Sequence, residues 1–486
     1  MHSVSVYRTT LVFFLLCFLM TGCGRAQNSR RNPVTINDSL LFVPIDTSWS
    51  FINYDSNHLI LSSDSSQMRR FAMKWYKLLA TGQGHLNIMQ LGASHVQGGT
   101  FPHTIRRNIL IGACNAVGES GYDTRNTHFP VGPRGMIFPY SAAVKCNNPF
   151  DYRISRSSAL TLTRCVYKEP DQMLGLTGIA VTAADSAADV SVTLAEPDID
   201  FATHRIILLG NSVGGLIPQL YIIEASGDTV KVPLTEADEG FRRYTFDLPH
   251  TVDSFHVFLP CHPGQSFAIT GIYLDHPWPV LQTSGITFHS IGVNGASVSD
   301  YLTKCPFFTT DLEMIDPDLV IFGIGINDAS GPNFDTAVFR QRYLQLVDSI
   351  RAVKPDCAFI FITNNDSYRR VKRKYSVNNN GPLAREAFLR VAEQCGGAVW
   401  DQFTIMGGLT SMDLWSKNDL GQRDHVHFTR KGYQLLGDLL SNAIFETLVQ
   451  MRPADLDKLK QTGYKAAKKA RNQSNSKDER PNYIFY

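Results

Sequence analysis

Leu86-Asn-Ile-Met-Gln-Leu-Gly-Ala-Ser-His-Val-Gln-Gly98 is the stretch that decides the fold. Leu86–Leu91 is a short apolar run of the kind that forms a buried strand. Small residues then cluster at Gly92, Ala93, Ser94, Gly98 and Gly99, so the strand ends in a tight turn with the Ser94 hydroxyl at its tip. In an open α/β sheet, ligands and chemistry gather at the carboxyl ends of strands. Ser94 is therefore a candidate nucleophile, provided that other segments supply a base and donors for an oxyanion.

Around this point the chain alternates. Before it, Ser63-Asp64-Ser-Ser66 offers a helix N-cap, and Met68, Phe71, Ala72, Trp75, Leu78 and Leu79 fall on one helical face. After it, His103–Ile111 reads as a second helix. From about Phe150 the texture changes to short apolar or alternating stretches, such as Ile206–Leu209, Tyr221–Ile223, Thr229–Val232 and Phe255–Leu259, separated by Gly, Asp and Pro. That spacing predicts a β-sandwich. Beyond residue 284 the alternation returns: strands at Leu319–Phe322, Ala358–Ile362 and Ala398–Trp400, helices at Val338–Val353, Leu383–Gln394 and about Thr429–Met451. The simplest organisation is one α/β domain with helices on both faces of a parallel sheet, interrupted by an inserted β-domain.

The chain has 486 residues, enough for two or three domains. With 46 Lys+Arg against 44 Asp+Glu it carries no overall footprint of a nucleic-acid binder. At the N-terminus, Arg8 precedes the apolar run Leu11–Met20, which is too short to span a bilayer stably and ends in small residues, as a secretory signal does. The ending Met20-Thr21-Gly22-Cys23 resembles a bacterial lipobox, which makes Cys23 the expected lipidated residue; an ordinary signal peptide cut near Ala26 is the alternative. The resulting division is 1–22 signal peptide, 23–65 tether and N-terminal segment, 66–145 first part of the α/β domain, 146–283 β-insert, 284–451 second part, and 452–486 a basic tail. Cys114, Cys146, Cys165, Cys261, Cys305, Cys357 and Cys395 are scattered without a C-x-x-C pair, which argues against zinc or a redox motif.

Three later stretches supply what Ser94 needs. In Asp424-His-Val-His427, an aspartate three residues before a histidine can hold Nδ1–H and leave Nε2 facing the serine. His427 fits better than His425 because it leads directly into the last helix. Ile324-Gly325-Ile-Asn327-Asp328 follows a strand and places the Asn327 amide at the same sheet edge. Ile291-Gly-Val-Asn-Gly295-Ala296 makes another glycine-rich turn whose Gly295 N–H can join those of Ser94 and Asn327 as oxyanion donors.

Other readings stand beside these. Asp424, His425 and His427 could share a face and hold a metal. His95 and His103 read as buried structural histidines. Asp328 reads equally as a cap of the following helix or as a substrate contact. Gly210-Asn-Ser212-Val-Gly214 matches a nucleophile elbow in letters, but Gly215, Pro218 and the β-rich run after it read as a turn between strands.

Taken together, Gly92-x-Ser94-x-x-x-Gly98, Gly295, Gly325-x-Asn327-Asp328 and Asp424-x-x-His427 resemble the blocks of the SGNH, or GDSL-type, hydrolases in order and local pattern. The resemblance covers residues 66–145 and 284–450. It implies a flavodoxin-like three-layer αβα fold and ester hydrolysis through an acyl-serine intermediate, with catalytic Ser94, Asp424 and His427 and no metal or organic cofactor. One departure is Ala93, where the family usually has aspartate. A second resemblance rests on the Ser94-His95 pair, Gly132-Pro-Arg-Gly135-Met-Ile-Phe138-Pro139-Tyr140, Asn148-Pro-Phe-Asp-Tyr152 and the β-insert. These are similar to peptidoglycan O-acetylesterases carrying a carbohydrate-binding-module-like insert.

What the resemblance implies is a serine esterase acting on an acetylated cell-envelope polysaccharide, peptidoglycan first. The insert would shape or hold the sugar chain, or merely buttress the site. The expected location is a lipid anchor on the periplasmic face of an outer membrane. An acetylesterase or lipase for another glycan or lipid ester, and a non-catalytic glycan-binding lipoprotein, are the competing readings.

Overall fold

The computed structural model describes residues 35–82, 84–117, 135–137, 152–194, 203–224, 226–238, 240, 242–275, 285–371 and 374–456. The segment 1–22 read as a signal peptide, Cys23, Gly132–Arg134, Phe138–Tyr140, Asn148–Asp151 and the tail from 457 lie outside these residues.

A six-stranded sheet forms the centre of the α/β domain. Its strands are β1 (Leu59–Leu61), β2 (His85–Gly92), β3 (Gly285–Gly292), β4 (Leu319–Gly323), β5 (Ala358–Ile362) and β6 (Ala398–Trp400), in the spatial order β1-β6-β5-β4-β2-β3. β2 to β6 are parallel, and β1 pairs antiparallel with β6 at the edge. Without β1 the order is flavodoxin-like, with the first strand between the second and third. The chain leaves β2, runs to one side, and crosses back to the other, so a crevice opens at the carboxyl end of β2.

The parallel strands are buried on both faces and read as continuous apolar runs, which is why they were legible. Val320, Phe322, Phe359 and Phe361 share one core cluster with Phe339, Tyr343 and Phe388 of two helices, Thr336–Val353 and Gly381–Cys395. On the opposite face, Trp75 of α1 (Ser66–Thr81) lies 6.3 Å from Phe445 of the last helix, Arg430–Gln450.

The insert is a pair of antiparallel sheets, of five and seven strands, with their own apolar core between them: Val190, Val192 and Val257 face Ile206, Phe246 and Ile272. Two boundaries differ from the sequence reading. Gly135–Ile137, assigned to the first part of the α/β domain, pairs with Ser266–Asp275 and so extends the insert's sheet. β1 lies within the segment 23–65, so that segment contributes to the central sheet as well as preceding it.

Insert and α/β domain share a continuous core, in which Cys165, Leu174, Leu176, Ile179 and Tyr273 meet Val293, Tyr301, Phe308 and Leu312. Across this seam Arg242 reaches the buried Asp311 at 3.0 Å, donates to Asn211 Oδ1 at 2.8 Å, and lies 3.4 Å above the Phe307 ring. Burial pushes the Asp311 pKa up, against the Arg242 charge and the Leu176 N–H, which lower it. Arg242→Ala would leave that carboxyl buried and unpaired; the expected loss is about 3–5 kcal/mol of unfolding free energy, measured by urea titration.

Two histidines, His289 fully buried and His95 partly so, make folding pH-dependent. His289 on β3 stacks on Tyr273 of the insert, and burial pushes its pKa down to about 3. Burial, helped by the neighbouring His427 charge, does the same to His95, also to about 3. Both stay neutral in the folded chain while the unfolded chain takes up protons below its ordinary histidine pKa near 6.5. Their contribution is therefore complete above that value and lost as pH falls toward 3. Between pH 7 and 5 the urea midpoint should drop, each histidine adding a slope of up to about 1.4 kcal/mol per pH unit. His289→Phe should flatten the decline.

Candidate active site

Gly92 ends β2 level with Gly292 of β3 on one side and Gly323 of β4 on the other. Directly beyond, α2 (Ser94–Gln97) lies across the strand ends. A Cβ on Gly92 would stand 2.3 Å from Val96 Cγ2 and 2.8 Å from the Gly323 carbonyl oxygen. One on Gly292 would stand 2.6 Å from the Gln97 nitrogen. Glycine at these positions is what lets the short helix seat and hold Ser94 at its first position.

From the opposite side, the loop before the last helix brings the base. Asp424 Oδ2 accepts from His427 Nδ1–H at 2.7 Å, and His427 Nε2 lies 2.8 Å from Ser94 Oγ. A carboxylate can only accept, so Nδ1 carries the proton and Nε2 is free to receive the serine's. Asp424 Oδ1 accepts from the Val426 and His427 N–H groups, both at 3.0 Å. Burial alone would raise the Asp424 pKa, but these bonds outweigh it and hold the carboxyl at about 2. Asp424 is thus ionised throughout the neutral range.

The Gly295 turn follows β3 and the Asn327 turn follows β4, on either side of Ser94. Gly295 has φ +86°, a left-handed backbone that favours glycine. Among the described residues, neither its N–H nor that of Ser94 has an acceptor. Asn327 Nδ2 donates to the Ala296 carbonyl at 2.9 Å, which ties the two turns together and leaves its second amide hydrogen to offer.

Several supporting residues were not read from the sequence. Gln97 Oε1 accepts from Asn294 N–H at 2.5 Å and links the nucleophile's helix to the Gly295 turn. Arg164, on the insert, donates to the Asn294 carbonyl. The insert therefore buttresses this turn. Asn365 Nδ2 donates to the Val426 carbonyl at 3.0 Å and steadies the base loop. The polar run Asn364-Asn365-Asp366 just after β5 was a signal that could have flagged it.

The remaining candidates separate. His425, at φ +56°, sits 5.0 Å from the rings of Tyr368 and Tyr375 and approaches Asp413, so it and His427 do not converge on one point as metal ligands would. His95 is half-buried beside His427, with the Tyr433 hydroxyl 2.8 Å from Nδ1. His103 is buried on the helix Thr100–Ala116. Asp328 accepts from Val298 N–H, so it caps the helix Val298–Lys304 across the sheet edge; the helix that follows it is capped by Asp335. Burial raises the Asp328 pKa to about 7. Gly210–Val213 belongs to the strand Thr203–Val213, and Ser212 donates to the Leu216 carbonyl.

The GDSL-like lipase/acylhydrolase family matches residues 272–435, the part that holds Gly295, Asn327, Asp424 and His427. A solved structure of a peptidoglycan O-acetylesterase in action is 21% identical with a TM-score of 0.60, over 81% of this chain and 99% of that one. At that identity the likeness is one of fold. An acetyl xylan esterase is 15% identical over 32% of this chain and 81% of its own, at a TM-score of 0.27. A GDSL-like lipase from Bacteroides thetaiotaomicron is 15% identical over 33% and 76%, at 0.25. Curated proteins return no match. With its sheet order and its blocks in sequence, the α/β domain of the chain is similar to the GDSL-like lipase/acylhydrolase family over residues 272–435.

Proposed function

We propose that this esterase removes O-acetyl groups from a cell-envelope glycan, with peptidoglycan as the first candidate. The observation that carries the reading is the unbroken chain from Asp424 through His427 to Ser94, at 2.7 and 2.8 Å. Ser94 Oγ attacks the acetyl carbonyl as His427 Nε2 takes its proton, and Asp424 stabilises the imidazolium. The N–H groups of Ser94 and Gly295 and the Asn327 amide receive the oxyanion. His427 then protonates the departing sugar oxygen. Water, deprotonated by the same histidine, attacks the acetyl-serine and releases acetate.

Supporting the glycan is the fold shared with a peptidoglycan O-acetylesterase, which extends over most of both chains. The lipobox-like N-terminus supports an anchored protein facing the envelope. Ala93 is the observation behind a non-catalytic alternative. Its side chain is fully buried in the apolar cluster with Leu91, Val293 and Ala296, and the catalytic hydrogen bonds form without an aspartate there.

The test is acetate release from O-acetylated peptidoglycan and nitrophenol release from p-nitrophenyl acetate. Ser94→Ala should remove activity on both. Asn327→Ala should cost about 10²–10³ in kcat, and Asp424→Asn about 10⁴. A parent equal to Ser94→Ala on both esters would overturn the esterase reading in favour of a binder.

A further inference from the structure

β5 is followed by a hairpin, Tyr368–Val371 paired with Lys374–Val377, that was not read as strand from the sequence. Its described residues include three cations, Arg369, Arg370 and Lys374, and no acid. In a chain of nearly balanced charge this density is local.

Its place is at the catalytic loops. Tyr368 N–H donates to the His425 carbonyl at 3.0 Å, and the rings of Tyr368 and Tyr375 flank the His425 ring, so one face rests on the loop that carries Asp424 and His427. On the other side Arg369 Nη1 donates to the Ser330 carbonyl at 3.3 Å, and Ser330 Oγ donates to the Asn327 carbonyl at 2.8 Å. The hairpin thus joins the base loop to the Asn327 turn. The register pairs Arg370 with Tyr375 and Val371 with Lys374, which puts Arg369 and Lys374 on the face opposite Arg370.

These cations are not compensated. Among the described residues, Arg369, Arg370 and Lys374 have no carboxylate within ion-pair distance, and Arg369 Nε is buried without a partner. Cations at structural seams elsewhere are paired, as Arg242 is with Asp311 and Arg385 with Asp401. Unpaired cations beside a low-dielectric crevice concentrate anions, and guanidinium forks suit carboxylates. Tyr375 is half exposed and offers a flat apolar face beside them.

We propose that this hairpin is a subsite for carboxylates on the glycan being deacetylated. The enzyme therefore prefers a carboxylate-bearing strand over a neutral one such as acetylated xylan. The inference rests on the esterase reading of the same site. The carboxylates can be borne by attached peptides or by the sugars themselves.

The full chain, solubilised in detergent, is compared with the charge-reversed variant Arg370→Glu/Lys374→Glu. Acetate release is followed on O-acetylated peptidoglycan strands with their peptides, on the same strands after an amidase has removed the peptides, and on acetylated xylan, with p-nitrophenyl acetate as the neutral reference. The ratio of kcat/KM on the carboxylated strand to that on the reference should fall about tenfold or more in the variant, through KM. The parent's ratio should also fall as salt is raised from 50 to 500 mM. Arg370→Lys should retain it. Loss of the parent's preference on stripped strands assigns peptide carboxylates; retention assigns sugar-borne ones.

An equal ratio in parent and variant would overturn the proposal. So would phosphatidylserine-vesicle binding that the reversal abolishes while the strand ratio holds. A parent that turns over no ester defeats the esterase reading alone. Co-sedimentation with insoluble strands, lost or kept in the variant, then decides the hairpin.

Discussion

Close contact between a four-residue helix and three glycine-ended strands is the constraint on which the site depends. Gly92, Gly292 and Gly323 lie level, and a methyl group on either of the first two would collide with α2 at well under van der Waals distance. Because the strand order reverses around β2, the turns after β3 and β4 diverge on either side of Ser94 and leave it open to a ligand. The nucleophile, the Gly295 turn and the Asn327 turn are thus placed by backbone geometry. Their mutual bonds, Gln97 to Asn294 and Asn327 to Ala296, then fix them to one another.

The electrostatics follow from that placement. Asp424 is held ionised by two backbone N–H groups as well as by His427, so the histidine keeps one tautomer and one orientation. His95, packed beside it, is kept neutral by burial and adds no competing charge. The insert is coupled to the same centre. Its Arg164 holds the Asn294 carbonyl one residue before Gly295, and its core merges with that of the α/β domain. A change within the β-domain can therefore reach the oxyanion turn without touching substrate.

Much of this was legible because parallel strands buried on both faces are unbroken apolar runs, and each catalytic residue follows one or precedes a helix. β5 and β6 have the bounds the apolar runs give, and Asp424 to His427 stands just before the helix that caps the domain. What was not legible is long-range. β1 is three apolar residues with no periodicity, and its identity as a strand comes from pairing with Trp400, far along the chain. Gln97 and Arg164 look like ordinary polar residues until the folded chain brings Asn294 to them. Asp328 was read toward the helix that follows it, but the turn at Gly325 aims its carboxylate back at Val298. The hairpin after β5 has strand character only through its own pairing, since its residues are mostly charged.

The most direct measurement is mass spectrometry of peptides from the chain, acid-quenched within seconds of mixing with p-nitrophenyl acetate. The mechanism predicts one acetyl group on the peptide containing Ser94, absent when His427 is replaced by alanine. Acetate released with no acetyl group on Ser94, or with the label on another residue, would contradict it.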